Sequence, residues 1–261
     1  MSHISVVSEA HQPEVVRALL AYGETLAADD AAVGSLSKDP AVNALLISDR
    51  FAFLVGVICD QGIPAERAWA TPLELRARLG HLDPARIASE AAAVQAAFQR
   101  PPKLHRFVKK VSAWIVSAAA RVMREYGGDA SRIWSGAPTA RELQARLTSF
   151  DGIGQKKAAM TVEIAERQLG VRVREMEGSD VAYDIHVRRV FLRSGLARRD
   201  DPQEVIAAAR RLYPERPGAL DVPAWSIGRR WCHPRQPDCP ACALSQVCPR
   251  LIDRAAVVRS L

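Results

Sequence analysis

The stretch "SFDGIGQKKAAMTV", residues 149–162, holds two glycines around one isoleucine, followed by two lysines and an apolar pattern. Upstream, "TARELQARLTSF" (139–150) sets Leu143 and Leu147 on one helical face. "DGIG" (151–154) breaks that helix. "QKKAAMTVEIAERQL" (155–169) starts another, with Ala158, Val162, Ala165 and Leu169 on one face. Helix, Gly-hydrophobic-Gly turn, helix is the helix-hairpin-helix pattern. Gly152 and Gly154 are expected to take backbone angles closed to other residues and to let a phosphate come close. Ile153 is expected to pin the turn to the core. The unpaired N–H groups at the start of the second helix sit at the positive end of its dipole, so they suit one backbone phosphate. Such a contact positions DNA without reading its sequence. An ordinary helical hairpin that binds nothing is the competing reading of the same residues.

Working outward, the remainder of the chain also reads as helix. "TPLE" (71–74), "TARE" (139–142) and "DPQE" (201–204) each pair an N-cap residue with Glu three positions on. "DP" at 39–40 and 83–84 makes weaker starts of the same kind, and Gly80, Gly127-Gly128 and Gly170 read as stops. Val111, Trp114, Ile115, Ala118 and Val122 form a helical stripe. Only 171–182 ("VRVREMEGSDVA") leaves a short strand or loop in competition. The expected fold class is all-α.

Of 261 residues, 48 % are hydrophobic, enough for a real core. The net charge of +7 and the pI near 9.5 suit a polyanionic partner, of which nucleic acid is the commonest. A solvated basic surface explains the same charge without a partner. The first residues, "MSHISVVSEA", lack a basic start and apolar run, so no signal peptide is expected. The longest apolar run, "FAFLVGVIC" (51–59), is short of the roughly 20 residues that span a bilayer. A cytoplasmic, monomeric protein with reduced cysteines and no membrane association is the expectation.

Near the C-terminus, "WCHPRQPDCPACALSQVCPR" spaces Cys232, Cys239, Cys242 and Cys248 as C-x6-C-x2-C-x5-C. Four thiolates so close in sequence can wrap only a compact centre. Zinc sites more usually show two C-x2-C knuckles, and only one is present. All-cysteine ligation in one short loop suits a [4Fe-4S] cluster, with zinc and a disulfide framework as the alternatives. Cys59, in the apolar run, reads as a buried core residue.

Hairpin, downstream Asp and cysteine loop together resemble the endonuclease III branch of DNA glycosylases. The resemblance runs from about "FAFLVGVICDQ" to "VCPR". It implies double-stranded DNA with a damaged base or abasic site as partner, and a [4Fe-4S] cluster as cofactor. By family pattern it puts Lys156 at the nucleophile position, Asp184 in "YDIHVRRV" at the family aspartate, and Gln61 in "ICDQGIP" at the glutamine that faces inserted DNA. The implied chemistry is coherent. The nucleotide is flipped out of the stack and Gln61 fills the gap. Asp184 stabilises the positive charge that builds on the sugar. Lys156 attacks C1′, forms a Schiff base and nicks the strand by elimination. Partial desolvation near a helix N-terminus is expected to lower the pKa of that lysine.

Each residue also has a plainer reading. Lys156 serves as a phosphate ligand in non-catalytic hairpins, and Asp184 can cap the helix that follows it. Lys157, Arg188, Arg189, Arg229 and Arg230 read as phosphate contacts or solvated charge. His105 and Arg106 fall in a helix-start loop. Asp151 departs from the family, which has Pro there, and the Lys156–Asp184 separation is longer than the family's, with the excess in 171–182. Gly56 stands near a position where adenine glycosylases carry an acid. Two domains are expected: a helical barrel over 46–174 that carries the hairpin, and a cluster domain from 1–45 and 175–261, with Lys156 and Asp184 facing one cleft. A monofunctional glycosylase and a DNA-binding homologue with little activity remain the alternative functions, and an oxidised pyrimidine is the family's default lesion.

Overall fold

The computed structural model describes residues 11–29 and 36–252. The fold is all-helical: among the described residues there are twelve α-helices and no strand. The stretch 171–182 is a loop. The chain divides into two compact units, Ala32–Arg174 and a second made from Met1–Ala31 with Glu175–Leu261. No single described helix is long and apolar enough to cross a membrane.

The Ala32–Arg174 unit contains α2 (Pro40–Ser48), α3 (Arg50–Cys59), α4 (Ala65–Leu79), α5 (Pro84–Ser89), α6 (Ala91–Gln99), α7 (Val108–Tyr126), α8 (Ala140–Thr148) and α9 (Gln155–Gln168). The unit thus includes the whole of α2, whereas the expected boundary at residues 45/46 falls within that helix. The reason is apolar: Val42, Leu45 and Leu46 of α2 are buried. Every residue of α3 from Phe51 to Cys59 is buried, which explains why that run is hydrophobic all round. Burial pushes the Cys59 thiol up to about 12.

Start signals behave as local chemistry dictates. Asp39 and Asp83 cap α2 and α5. Thr139 and Glu142 close a reciprocal capping box on α8. "TPLE" is a correction: Thr71 and Pro72 lie inside α4, which begins at Ala65 behind Pro64. The Thr71 hydroxyl donates to the Arg67 carbonyl one turn back and so serves no cap. Gly80 and Gly127 end their helices in the left-handed conformation.

The other unit holds α1 (Gln12–Asp29), α10 (Val187–Arg193), α11 (Pro202–Leu212) and α12 (Asp221–Arg230). Its core joins α1 to the helices from residue 187 onward, with Val15, Val16 and Leu19 in one cluster with Phe191, Leu220 and Ile227. The segment before α10 is fixed by polar contacts: Asp180 binds Arg210 through both carboxylate oxygens, and Asp221 Oδ1 accepts the Ala182 N–H.

Candidate functional site

The hairpin turn is built on tryptophan. Gly152 has φ +81°, the left-handed region, and a Cβ there would lie 2.4 Å from Cε3 of Trp114 on α7. Glycine is required at 152 on both counts. Gly154 differs from expectation. Its φ is −93°, which any residue adopts, and a Cβ there would meet nothing within 4 Å. It therefore keeps open the space in front of α9 and is not needed for the turn. Ile153 is buried, as a pin requires. No side chain caps the N-terminus of α9. Asp151 is exposed and accepts a hydrogen bond from Ser117 Oγ at 2.7 Å, tying the turn to α7.

The two lysines after the turn have opposite fates. Lys156 is exposed. The desolvation expected there falls on its neighbour. Lys157 is only 7 % exposed, so its side chain is not on the surface to meet a phosphate. Its ammonium donates to the carbonyl of Ile58 at 2.8 Å, in the last turn of α3. Burial lowers its pKa to about 8, against the opposing pull of Asp60.

Gln61 follows α3 by two residues and is half-buried. Its N–H donates to the Cys59 carbonyl at 2.7 Å. The same carbonyl is 3.2 Å from His105 Nε2. Because His105 Nδ1 accepts the Phe107 N–H at 3.0 Å, the proton sits on Nε2, which donates to Cys59. His105 is fully buried, and desolvation lowers its pKa.

Asp184 belongs to the other unit, together with the four loop cysteines. Its Oδ1 accepts the N–H groups of His186 and Val187, each at 2.8 Å, so it caps the start of α10. Cys232, Cys239, Cys242 and Cys248 are free thiols, and all four line one small cavity with Arg193, Trp231 and Leu244. Among the described residues, no group of three His, Cys, Asp or Glu is arranged to take a metal ion.

Several solved structures share this fold. One, "Structure of a Trapped Endonuclease III-DNA Covalent Intermediate: Estranged-Adenine Complex", matches with TM-score 0.62 and 18 % identity over 91 % of this chain and 96 % of that one. The chain has the fold of endonuclease III. A non-covalent endonuclease III–DNA complex matches with TM-score 0.57 and 18 % identity, over 77 % of this chain and 84 % of that one. A thermostable thymine-DNA glycosylase matches with TM-score 0.59 and 13 % identity, over 93 % and 97 %. No protein-family model matches the sequence, and comparison with curated proteins finds no match.

On this endonuclease III fold, arginines read from the sequence as phosphate contacts or solvated charge have protein partners, and Arg193, which the sequence did not single out, joins them. Arg189 is buried, a correction to its reading as a phosphate contact or solvated charge. It donates to the Ile185 carbonyl at 2.9 Å in the turn behind Asp184. It also donates to the Gly228 carbonyl at 2.7 Å and to the carbonyl of Cys232. One guanidinium thus joins the Asp184 turn to the first cysteine of the loop. Arg193 donates to the carbonyls of His233 and Pro234, at 2.7 and 2.8 Å, further into that loop. Arg188 pairs with Asp200 at 2.6 Å, and the guanidinium of Arg229 lies 4.7 Å from the Trp225 ring centroid. A single sequence cannot separate Arg189 and Arg193 from phosphate ligands, because their partners are backbone carbonyls, which leave no pattern.

Proposed function

We propose that the chain is a base-excision DNA glycosylase that also nicks the abasic site. The observation that carries the reading is the hairpin: a glycine turn on Trp114 leads into an uncapped helix, with open space at Gly154 and an exposed Lys156 beside it. A helix N-terminus of that kind holds a backbone phosphate. Endonuclease III, whose fold this chain shares, has been trapped covalently on DNA. A covalent adduct needs a nucleophile, and Lys156 offers an accessible amine.

In this reading the damaged nucleotide, an oxidised pyrimidine in a duplex, is flipped out and Gln61 occupies the gap. Asp184 stabilises the positive charge on the sugar as the base leaves. Its cap bonds fix the carboxylate through Oδ1 and leave Oδ2 for the substrate. The Lys156 amine attacks C1′ and displaces the base. The C1′–O4′ bond then opens to leave O4′ as a hydroxyl and C1′ as the Schiff base, and loss of a C2′ proton expels the 3′ phosphate.

The four thiols that share a cavity fit a [4Fe-4S] cluster better than one zinc ion. Zinc sites more usually show two C-x2-C pairs, only one is present here, and all-cysteine ligation in one short loop suits a cubane. Cys232, Cys239, Cys242 and Cys248 would hold the cluster. It would supply iron–thiolate cross-links to a loop with little regular structure. Arg189 and Arg193 hold the start of that loop through its carbonyls.

A second reading has one observation in its favour. Lys156 is exposed, as a phosphate ligand would be. In that case Asp184 activates water and the enzyme is a monofunctional glycosylase. The test is turnover on a panel of duplexes that carry oxidised pyrimidines, mismatches, uracil or an abasic site, scoring base release separately from strand nicking. Base release with nicking supports the bifunctional enzyme, and base release without nicking supports the second reading. Binding without turnover on every duplex defeats both.

A further inference from the structure

Lys157 is a buried charge that the proposed chemistry leaves unused. Ile58, whose carbonyl it binds, is the penultimate residue of α3. That carbonyl is one of the acceptors a helix end leaves without an internal partner. The next, on Cys59, takes the His105 ring and the Gln61 N–H. An ammonium there also meets the negative end of the helix dipole. The same ammonium lies 6.0 Å from the ring centroid of Trp114, the ring under Gly152. One side chain in the first turn of α9 therefore connects the hairpin to the turn that bears Gln61.

We propose that Lys157 is a positioning residue that clamps the end of α3 to the hairpin helix and so sets how far Gln61 projects into a duplex. This rests on the reading above, in which Gln61 fills the space left by the flipped nucleotide. Lysine suits the task because its aliphatic stem crosses apolar surroundings while its tip donates. An aliphatic residue would leave the Ile58 carbonyl without that donor. The clamp springs from the same helical turn as the phosphate site. Anchoring the backbone at Gly154 therefore fixes the origin from which Gln61 is aimed.

The test compares the parent with Gln61→Ala, Lys157→Met and the double variant. The probe is a duplex carrying a tetrahydrofuran abasic analogue with 2-aminopurine opposite it. Binding of the parent should change the 2-aminopurine fluorescence, and Lys157→Met should lose most of that change while its affinity falls less than about tenfold. Base release by Lys157→Met should fall about tenfold in kcat/KM, and the double variant should be no worse than Gln61→Ala alone. Borohydride trapping on an abasic duplex should survive in Lys157→Met. The proposal is overturned if the two substitutions multiply, if the fluorescence response is unchanged, or if trapping is lost in Lys157→Met but kept in Lys156→Gln. Should Lys157→Met not fold, Lys157→Gln, which is polar but too short to reach Ile58, takes its place. If neither folds, Lys157 holds the fold alone and the proposal fails. A parent that cleaves damaged duplexes while these predictions fail leaves the glycosylase reading standing. A parent with neither turnover nor a fluorescence change removes both.

Discussion

Gly152 and Trp114 are in contact so close that no side chain fits between them: a Cβ at 152 would sit 2.4 Å from the indole. Gly154, two residues on, faces open space. The hairpin thus contains one glycine for folding and one for access, and the two should fail differently. Gly152→Ala should cost about 2–3 kcal/mol, from positive φ and the clash, and lower Tm by about 5–10 °C. Gly154→Ala should leave Tm within a degree or two yet weaken duplex binding about tenfold for all sequences alike, since a methyl group would obstruct one phosphate. Thermal melts and binding isotherms on the two variants decide it. Normal DNA binding by Gly154→Ala would mean that α9 does not receive a phosphate.

Lys157 should make stability depend on pH in a defined sense. Its folded pKa is lowered from 10.5 to about 8. Below about pH 8 the folded and unfolded chains both carry the proton, and the penalty for burying the charge is fully present. Between about 8 and 10.5 the unfolded chain holds more protons than the folded one, so stability rises with pH. The slope is at most about 1.4 kcal/mol per pH unit. Denaturant titrations of the parent and Lys157→Met at pH 7 and 9.5 should show the difference moving in the parent's favour. A pH-independent difference would mean that the ammonium is not buried in solution.

Much of the fold was legible because its signals are local. Asp39, Asp83, Thr139 and Asp201 announce their helices through caps within three residues. Leu143, Leu147, Ala158 and Val162 give the hairpin helices their buried faces. "TPLE" misled because a Thr-Pro start signal and an internal Pro look alike until the preceding turn is known. The hairpin was legible as a motif, but the division of labour between Gly152 and Gly154 was not, because it depends on Trp114, some forty residues earlier. The different fates of Lys156 and Lys157 were equally hidden. Adjacent helical residues point about 100° apart, and which one turns inward is set by where α3 ends.

Asp184→Asn should separate capping from catalysis. The amide oxygen keeps the bonds from His186 and Val187, so α10 should start as before. Loss of the charge should slow base release by a factor of ~100 or more. Nicking of a preformed abasic site should suffer less, because the bond to the base is already gone. Equal loss in both assays would assign Asp184 a structural role.

The thiol loop predicts its own colour. Purified protein should be brown and contain about four iron and four sulfide per chain, as a cubane cluster requires. Cys239→Ser should lose the colour and destabilise the Cys232–Cys248 loop. A colourless protein with one zinc per chain would contradict the cluster and restore the zinc alternative.

The central claim is that Lys156 attacks the sugar, and borohydride trapping tests it most directly. Parent and Lys156→Gln are each incubated with an abasic-site duplex and borohydride, and the covalent protein–DNA adduct is measured. Glutamine retains polarity but has no amine to form a Schiff base. The account predicts an adduct with the parent and none with Lys156→Gln, although the variant still binds the duplex. An adduct of equal yield from Lys156→Gln would contradict it and leave Lys156 as a phosphate ligand.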